Sequence, residues 1–534
     1  MAIAQAASRP AVVSDSNSRY RWLILIGLMM AAVMEVLDTT IINVALPTMA
    51  GNLGATTTEI AWVSTGYILS NVVFLPMTAF LTGLFGRRNY LSGSIILFIV
   101  ASFLCGISHS LIELVLWRIM QGVGGAALLS TAQATIRQIF PKEQQALVQT
   151  IFLLGIIVAP TLGPTLGGWI TDNYTWNWCF FINVPIGIVS FFLVSNYLID
   201  PPGTNDAVKP KADWPGIGLL AVGLGSLQYV LEEGNQDDWF QDPTITKLAL
   251  LSTVCIALLM WWQLSPKNKQ PVIDFRVLKN RDLASSLFLF IALGFGLYGG
   301  TFIFPLLAQG IFGFSPTETG LELLPGGLAT AASSMVCGAV LSKGKIDPRV
   351  LIFIGVGLFV FSQWSLGHLS VAAGEADVRT PLIFRGFALG FLFAPINNAA
   401  YGNIDPRVAQ QASGLINLAR QLGGSFGIAA LSTYLTNHVK FQRAALVEHL
   451  YVGNPVAEAR LSAIQQGMMA KGADPATAHT MAQAALDGTV MRQATMLAYN
   501  DCWMLILISF VVTIPAIFLL RRPKKAAGPP VDAH

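Results

Sequence analysis

Residues 22–47 read WLILIGLMMAAVMEVLDTTIINVALP, an apolar stretch long enough to cross a lipid bilayer, which takes about 20 helical residues. Two acids, Glu35 and Asp38, interrupt it near its middle. Because they are three residues apart, they share one face of a helix. A carboxylate at that depth costs about 3 kcal/mol unless it faces protein or water. The pair is therefore either a satisfied structural element or a proton or cation site, and intramembrane acids are functional by default.

The composition is that of an integral membrane protein. Of 534 residues, 54% are hydrophobic and 11% are charged, whereas soluble domains are about a quarter charged. The net charge of +3 is too small to indicate a nucleic-acid partner. Five cysteines and six histidines lack the spacing of a metal site or a disulfide framework, so no cofactor is expected. The first twenty residues do not resemble a signal peptide, so the first span is expected to be a retained anchor.

Hydropathy predicts an all-α membrane protein with about fourteen transmembrane helices. The predicted spans lie near 22–46, 59–81, 90–108, 112–135, 147–170, 178–199, 214–233, 246–265, 283–307, 318–341, 350–370, 380–402, 411–435 and 502–521. They divide into an N-terminal tail (1–21), a six-helix bundle (22–200), a linker with two inserted transmembrane helices (201–282), a second six-helix bundle (283–521) and a C-terminal tail (522–534). PKEQQALVQTIFLLG at residue 141 resembles PRVAQQASGLINLARQLGG at residue 406. Such parallel halves are common in transporters.

Loop charge predicts the orientation. Lys and Arg concentrate in alternate loops, such as those holding Arg88 and Arg137, while GNLGATTTE, GISHS and TDNYTWN have none. The positive-inside rule places the basic loops and both tails in the cytoplasm. On the other side, residues 436–501 form a long polar loop. Loops of that length are usually functional or disordered, and we expect short amphipathic helices that dock a partner protein.

Depth along the helices predicts a partner for Asp38. A rise of about 1.5 Å per residue places Asp38 about 24 Å and Arg118 about 21 Å from the inner surface of the bilayer. Pairing would relieve the burial of both charges. A static structural ion pair and a mobile pair that couples protonation to helix movement both remain open. Glu35 has no cation nearby in sequence, so it is the better candidate for holding a proton near neutral pH.

The span at 155–169, GIIVAPTLGPTLGGW, combines two prolines with four glycines. It is either a kinked packing helix or a hinge and seam between the two halves, because proline removes a backbone donor and glycine permits close approach. The gating and hinge candidates are Gly155, Pro160, Gly163, Pro164, Gly167 and Gly168 in this span, with Gly86, Arg87 and Arg88 in the loop after the second span.

The second half of the chain has fewer candidates for proton coupling than the first half. Its first span has no acid, so Arg385 has no symmetric partner and Glu322 is a possible substitute. Arg420 is expected to snorkel near the inner end of its span. The candidates for lining a substrate cavity are Asn43, Tyr67, Asn71, Gln121, Tyr298, Gln309, Glu322, Arg385, Asn397 and Asn398. Plain packing or helix–helix hydrogen bonding is the alternative for each.

Four stretches carry a family resemblance. LDTTIINVALP at 37–47, RIMQGVGGA at 118–126, GIIVAPTLGPTLGGW at 155–169 and FFINVPIG at 180–187 resemble, in order, signatures of the major facilitator superfamily. Together they are similar to the fourteen-span drug:proton antiporter branch, and within it to EmrB-type multidrug exporters, over nearly the whole chain. The resemblance implies the major facilitator fold, and Asp38 lies within one of the shared signatures. Burial and depth, rather than the resemblance, make Glu35, Asp38 and Arg118 the candidates for proton coupling.

The same resemblance implies an inner-membrane antiporter that exports hydrophobic drugs or toxic compounds in exchange for protons. Its implied partners are small hydrophobic substrates, protons, membrane lipid, a periplasmic adaptor of the EmrA type and an outer-membrane channel of the TolC type. An exporter of one endogenous metabolite, such as a siderophore or fatty acid, is the alternative. A membrane-embedded enzyme or receptor is less well supported, because the chain has no HExxH-like cluster. A channel is a further alternative, which flux against a gradient in proteoliposomes would exclude.

Two positions depart from the family pattern. Gly83 stands where the loop after the second span usually has an acid, so the inner gate is either looser or latched elsewhere. Glu35 stands where the EmrB-type pattern has an uncharged polar residue. The extra acid implies a second proton or a preference for cationic substrates.

Overall fold

The computed structural model describes residues 15–200, 212–268, 270–342, 346–402, 404, 408–451 and 454–520. Most of the predicted N-terminal tail, the start of the linker and the predicted C-terminal tail lie outside these ranges. Within them the regular structure is helical, which confirms the predicted fold class. The helices are α1 (Asp15–Leu53), α2 (Thr57–Phe74), α3 (Thr78–Phe85), α4 (Arg87–Gly106), α5 (Leu111–Ile139), α6 (Lys142–Asn173), α7 (Trp178–Phe181), α8 (Asn183–Tyr197), α9 (Trp214–Glu233), α10 (Pro243–Leu264), α11 (Arg281–Leu307), α12 (Pro316–Ser342), α13 (Pro348–Leu366), α14 (Glu375–Tyr401), α15 (Ala409–Val447), α16 (Pro455–Ala470), α17 (Pro475–Val511) and α18 (Ile514–Leu519).

The helices form two bundles with the same packing order. In the first, α1 packs on α6 and α8, and α5 packs on α2 and α4. In the second, α11 packs on α15 and α17, and α14 packs on α12 and α13. The pair α9 and α10 packs mainly on itself and touches the bundles through α2 and α15. This matched pairing is the packing expected of two repeated halves with two inserted helices.

Twelve helical segments in the described ranges are long and apolar enough to cross a membrane. They coincide with twelve of the fourteen predicted spans, and the remaining two predictions fall on α6 and α15. The first third of α15 carries buried polar side chains, including Gln410, Asn417 and Arg420. These lower its hydropathy, but they face protein rather than lipid.

The segment 436–501 differs from the predicted loop. Helix α15 continues to Val447 and α17 already begins at Pro475, so the two helices occupy most of this segment. One separate helix, α16, packs on α17. Asn454 and Asp474 cap α16 and α17 through side-chain acceptors, with proline at the first helical position of each. The Ala-rich sequence favours helix and continues it beyond the apolar spans.

The basic side of the molecule is the end of the bundles where α1 begins and where Arg88 and Arg137 lie. The contacts that join the two bundles at this end use α5, α14 and α15. Ser413 donates to the carbonyl of Ser130 (2.7 Å), and Asn417 donates to Gln133 Oε1 (3.1 Å). The guanidinium of Arg137 lies 4.1 Å from the ring centre of Tyr401. Polar contacts between the bundles therefore close the basic side.

Candidate functional site

Asp38 lies on α1 where it meets α5 and α8 of the first bundle, and it is fully buried. Its Oδ2 accepts from Arg118 Nη1 at 2.6 Å, which is the predicted ion pair. Its Oδ1 accepts from Gln121 Nε2 (2.9 Å) and Asn183 Nδ2 (2.7 Å). Three donors, one of them a cation, satisfy the carboxylate in its charged form.

Arg118 is as buried as its partner, with 1% of its surface exposed. Besides Asp38, it donates to the carbonyl of Val63 (2.8 Å) and to Gln121 Oε1 (2.7 Å). Its guanidinium lies 4.3 Å from the ring centre of Tyr67, in cation–π geometry. A buried cation with this many partners holds a fixed position until its charge partner changes.

The glycines that follow Arg118 explain how helices come close enough to build this network. A Cβ on Gly122 would collide with the carbonyl of Tyr67, and one on Gly124 would lie 2.9 Å from the carbonyl of Ser94. A Cβ on Gly125 would lie 2.6 Å from the hydroxyl of Tyr67. Glycine on α5 therefore lets α2 and α4 approach in contact with the backbone.

Glu35 forms a second buried acid site about one helical turn away from Asp38. Its Oε2 accepts from the backbone N–H of Leu129 (3.1 Å), and its Oε1 accepts from Asn71 Nδ2 (3.4 Å). The cation that acts on it electrostatically is Arg420, which belongs to the second bundle. Arg420 is far from Glu35 in sequence and reaches it through α15; that Glu35 holds a proton stays a prediction.

A cavity that is partly open to solvent lies between the bundles; its empty space is about 820 Å³ when the open part is included. Its wall is largely apolar, with Val36, Ile156, Leu389 and Phe393 among the lining side chains. Tyr298 and two arginines, Arg385 and Arg420, contribute polar groups. Arg420 is buried in this wall rather than snorkelling to the inner surface, which corrects the sequence-based expectation.

The remaining substrate candidates fall in different places. Tyr298 and Arg385 line the cavity, whereas Tyr67, Asn71 and Gln121 belong to the network around the two acids. Asn397 is buried at the basic side, where its carbonyl lies 3.5 Å from Arg137 Nη2, and Asn398 beside it is half-buried. Gln309 is exposed in a π-helical turn after α11. The side chain of Asn43 lies outside the described part of the structure.

Glu322 has a different partner from the one suggested by sequence. Its carboxylate pairs with Arg379, with Oε2 at 3.0 Å from Nε and Oε1 at 2.5 Å from Nη2. Arg385 instead donates to the carbonyls of Leu297 (3.0 Å) and Gly296 (3.4 Å). The reason is position on α14: Arg379 lies in the second turn, level with Glu322 near the start of α12, whereas Arg385 lies more than a turn deeper.

The glycines of α6 line a close contact with α1. A Cβ on Gly155 would lie 2.8 Å from Val33, and one on Gly167 would lie 2.5 Å from the carbonyl of Ile41. Gly163 faces Thr40 and Gly168 faces Val44. Helix α6 also packs on α12 of the second bundle, and it remains one helix through Pro164. The side chain of Pro160 lies outside the described residues.

The loop between α3 and α4 is fastened by an acid from another helix. Gly86 has φ of +80°, which favours glycine. Asp200, which follows α8, accepts from the backbone N–H of Arg88 at 3.1 Å, and Arg88 Nε donates to the carbonyl of Ser195 at 2.8 Å. Arg87 beside it is half-buried. Asp200 thus supplies the acid that Gly83 does not provide.

The comparisons with known proteins decide the family. The sequence model of the Major Facilitator Superfamily matches residues 28–428. The chain belongs to the major facilitator superfamily. Solved superfamily members share its fold at 12% identity: a proton:xylose symporter, XylE (TM-score 0.57, covering 92% of this chain and 95% of that one), and the human organic anion transporter MFSD10 (TM-score 0.54, covering 92% and 99%).

Three curated relatives are similar over nearly their full length. The multidrug export protein EmrB of Haemophilus influenzae is 31% identical over 94% of this chain and 96% of its own. The EmrB of Escherichia coli K12 is 30% identical over 96% and 98%. The fatty acid resistance protein FarB of Neisseria gonorrhoeae is 30% identical over 95% and 97%. The family resemblance is confirmed, and this superfamily member is a multi-pass membrane transporter rather than an enzyme.

Proposed function

We propose that this transporter is a proton-coupled antiporter that exports hydrophobic drugs or other toxic compounds across the inner membrane of a bacterium. The observation that carries the proposal is the separation of two sites. The acids Asp38 and Glu35 lie inside the first bundle, whereas an apolar cavity lies between the bundles. An antiporter needs a place for the proton and a place for the substrate, linked by helices that touch both.

Helix α1 provides that link. It carries Glu35 and Asp38 on one face, and Val36 and Thr40 of the same helix line the cavity. Protonation of Asp38 would remove the charge that holds Arg118 Nη1, so α1 and α5 would be released to move against each other. Movement of α1 would reshape the cavity wall, which is how a proton would drive alternating access.

The names of the relatives support export of toxic compounds.

The orientation in the membrane follows from the charge of the loops. Arg88 and Arg137 lie on the same side as the start of α1, and the positive-inside rule makes that side cytoplasmic. The long α15, α16 and α17 would then extend into the periplasm. There they would contact a membrane-fusion adaptor of the EmrA type, which in turn would contact an outer-membrane channel of the TolC type.

The test is Asp38→Asn, which keeps the shape of the side chain and removes its charge. We expect pH-gradient-driven efflux from everted membrane vesicles to be abolished, because the proton site is lost. The uncompensated Arg118 would also destabilise the protein by about 3–5 kcal/mol, so membrane abundance and substrate binding must be measured alongside. Substrate binding should persist, because Asp38 does not line the cavity.

Asp172→Asn is the matched control, because Asp172 is an exposed acid in the last turn of α6, outside the network around Asp38. It should transport like the wild type. Normal pH-driven efflux by Asp38→Asn would refute the coupling role.

A second candidate is export of one endogenous metabolite, a fatty acid above all, which the name of the relative FarB favours. The two functions separate in a substrate screen of cells that lack the transporter and cells that carry it. A multidrug exporter would protect against structurally unrelated toxic compounds, whereas a dedicated exporter would protect against one chemical series.

A further inference from the structure

The central cavity contains two arginines that lack an ion-pair partner within the described ranges. Arg385 is 4% exposed and Arg420 is 7% exposed, and both line the cavity. Nη2 of Arg385 donates to backbone carbonyls, and Nη2 of Arg420 donates to Asn417 Oδ1 at 3.2 Å. The Nε of each is buried without a hydrogen-bond acceptor. Two desolvated cations with unused donors are costly in the interior of a membrane protein.

The acids nearby form no hydrogen-bonded ion pair with either arginine among the described residues. None of the described residues that line the cavity is acidic. The carboxylate of Glu322 forms an ion pair with Arg379 instead. Glu35 acts on Arg420 through space, but its two oxygens accept from Leu129 and Asn71 rather than from the guanidinium. The cavity therefore presents positive charge inside an apolar wall.

Gly300 of α11 leaves space for the guanidinium of Arg385. A Cβ on Gly300 of α11 would lie 2.5 Å from Arg385 Nη2, so any larger residue would displace that side chain. Arg385 is thereby held at the cavity wall by α11, with its Nε unsatisfied. A guanidinium prefers a carboxylate or another planar anion, which it binds with two parallel hydrogen bonds.

We propose that this cavity is a binding site for hydrophobic anions, in which Arg385 and Arg420 hold a carboxylate or similar acidic group and the apolar wall holds the rest of the molecule. The proposal rests on the proposed export function and narrows its substrate class. It also replaces the expectation of cationic substrates, which was based on Glu35, because Glu35 faces α2 and α5 and does not line the cavity.

The experiment compares three probes with the same twelve-carbon tail: dodecanoate, dodecanol and dodecyltrimethylammonium. Binding is measured with the full chain in lipid nanodiscs, and empty nanodiscs give the background. We expect dodecanoate to bind the wild type more tightly than the other two. Arg385→Gln and Arg420→Gln should each weaken dodecanoate binding about tenfold or more, or about 1.4 kcal/mol, and leave the cation and the alcohol unaffected.

Further variants guard against loss of folding. Arg385→Lys and Arg420→Lys keep the charge but lose the two parallel hydrogen bonds, so they should bind dodecanoate more tightly than the Gln variants and more weakly than the wild type. Thr301→Asp adds an acid to the cavity wall without removing either arginine, and it should weaken dodecanoate and strengthen the cation. Arg443→Gln removes an arginine from an ion pair with Asp487, away from the cavity, and should change nothing.

Two outcomes overturn the proposal: wild-type protein that binds the cation as tightly as dodecanoate, or Gln variants that retain wild-type dodecanoate binding. A transport arm with the same probes in everted vesicles separates this proposal from the proposed function. Selective dodecanoate binding without pH-driven export would defeat the function and leave the anion site intact. Export of the cation alone would refute the anion site and leave the proposed export function standing.

Discussion

At the scale of single residues, Asp38 is a carboxylate whose oxygens are both occupied by donors from other helices. Arg118 and Gln121 come from one face of α5, and Asn183 comes from the start of α8. Asn183 also donates to Ser102 Oγ at 3.0 Å, which brings α4 into the network. A proton added to Asp38 would therefore disturb contacts to several helices at once.

Glu35 offers the sharpest residue-level prediction. Glu35→Gln should fold, because the new amide oxygen can still accept from the backbone N–H of Leu129. If Glu35 carries a second proton, the number of protons taken up per exported substrate should fall by about half. A pH-sensitive dye inside proteoliposomes, read together with labelled substrate, measures that ratio. An unchanged ratio with unchanged efflux would assign Glu35 a structural role.

At the scale of elements, α6 connects the two bundles. Its glycines face α1, while Thr165 lies against Gly320 of α12. Small residues on a helix that touches both halves allow it to slide or tilt with little rearrangement of side chains. This is the arrangement expected of a seam that moves during alternating access.

Gly167→Ala tests the seam. The added methyl would lie 2.5 Å from the carbonyl of Ile41, and such overpacking costs about 1–3 kcal/mol. We expect a lower melting temperature in detergent and slower transport. Gly93→Ala is the control, because a Cβ there has nothing within 4 Å. A Gly167→Ala protein that melts and transports like the control would show that close α1–α6 contact is dispensable.

At the scale of the whole molecule, two features combine. Polar contacts among α5, α14 and α15 close the basic side below the cavity. On the opposite side, α15 and α17 continue past the apolar spans, with α16 packed beside them. The molecule thus has a closed basic end and a helical projection at the other end, which suits delivery of substrate to a partner on that side.

Removal of α16 tests the projection. Replacing residues 451–473 by a short Gly–Ser linker should keep α15 and α17, because each has its own packing within the bundle. We expect pH-driven efflux from everted vesicles to be near normal. Resistance of intact cells should fall, because adaptor docking would be lost. Full resistance in intact cells would contradict the docking role, and Arg460→Gln within α16 provides an intact-helix control.

The sequence by itself determined the membrane class, the helical spans, the two halves and the pairing of Asp38 with Arg118. It could do so because hydropathy is local, and because a buried acid and a buried arginine at equal depth have few other ways to be neutralised. Asn183 lies within the FFINVPIG signature, so its motif was visible in the sequence although its contact with Asp38 was not.

Only the tertiary structure decided which charges meet. Arg420 approaches Glu35, Glu322 pairs with Arg379 rather than Arg385, and Asp200 fastens the loop at Gly86. Each of these depends on the rotation and relative depth of helices that are distant in sequence, and hydropathy fixes neither. The cavity is positively charged for the same reason: Arg385 of α14 and Arg420 of α15 are distant in sequence and converge only when the helices of the second bundle pack together.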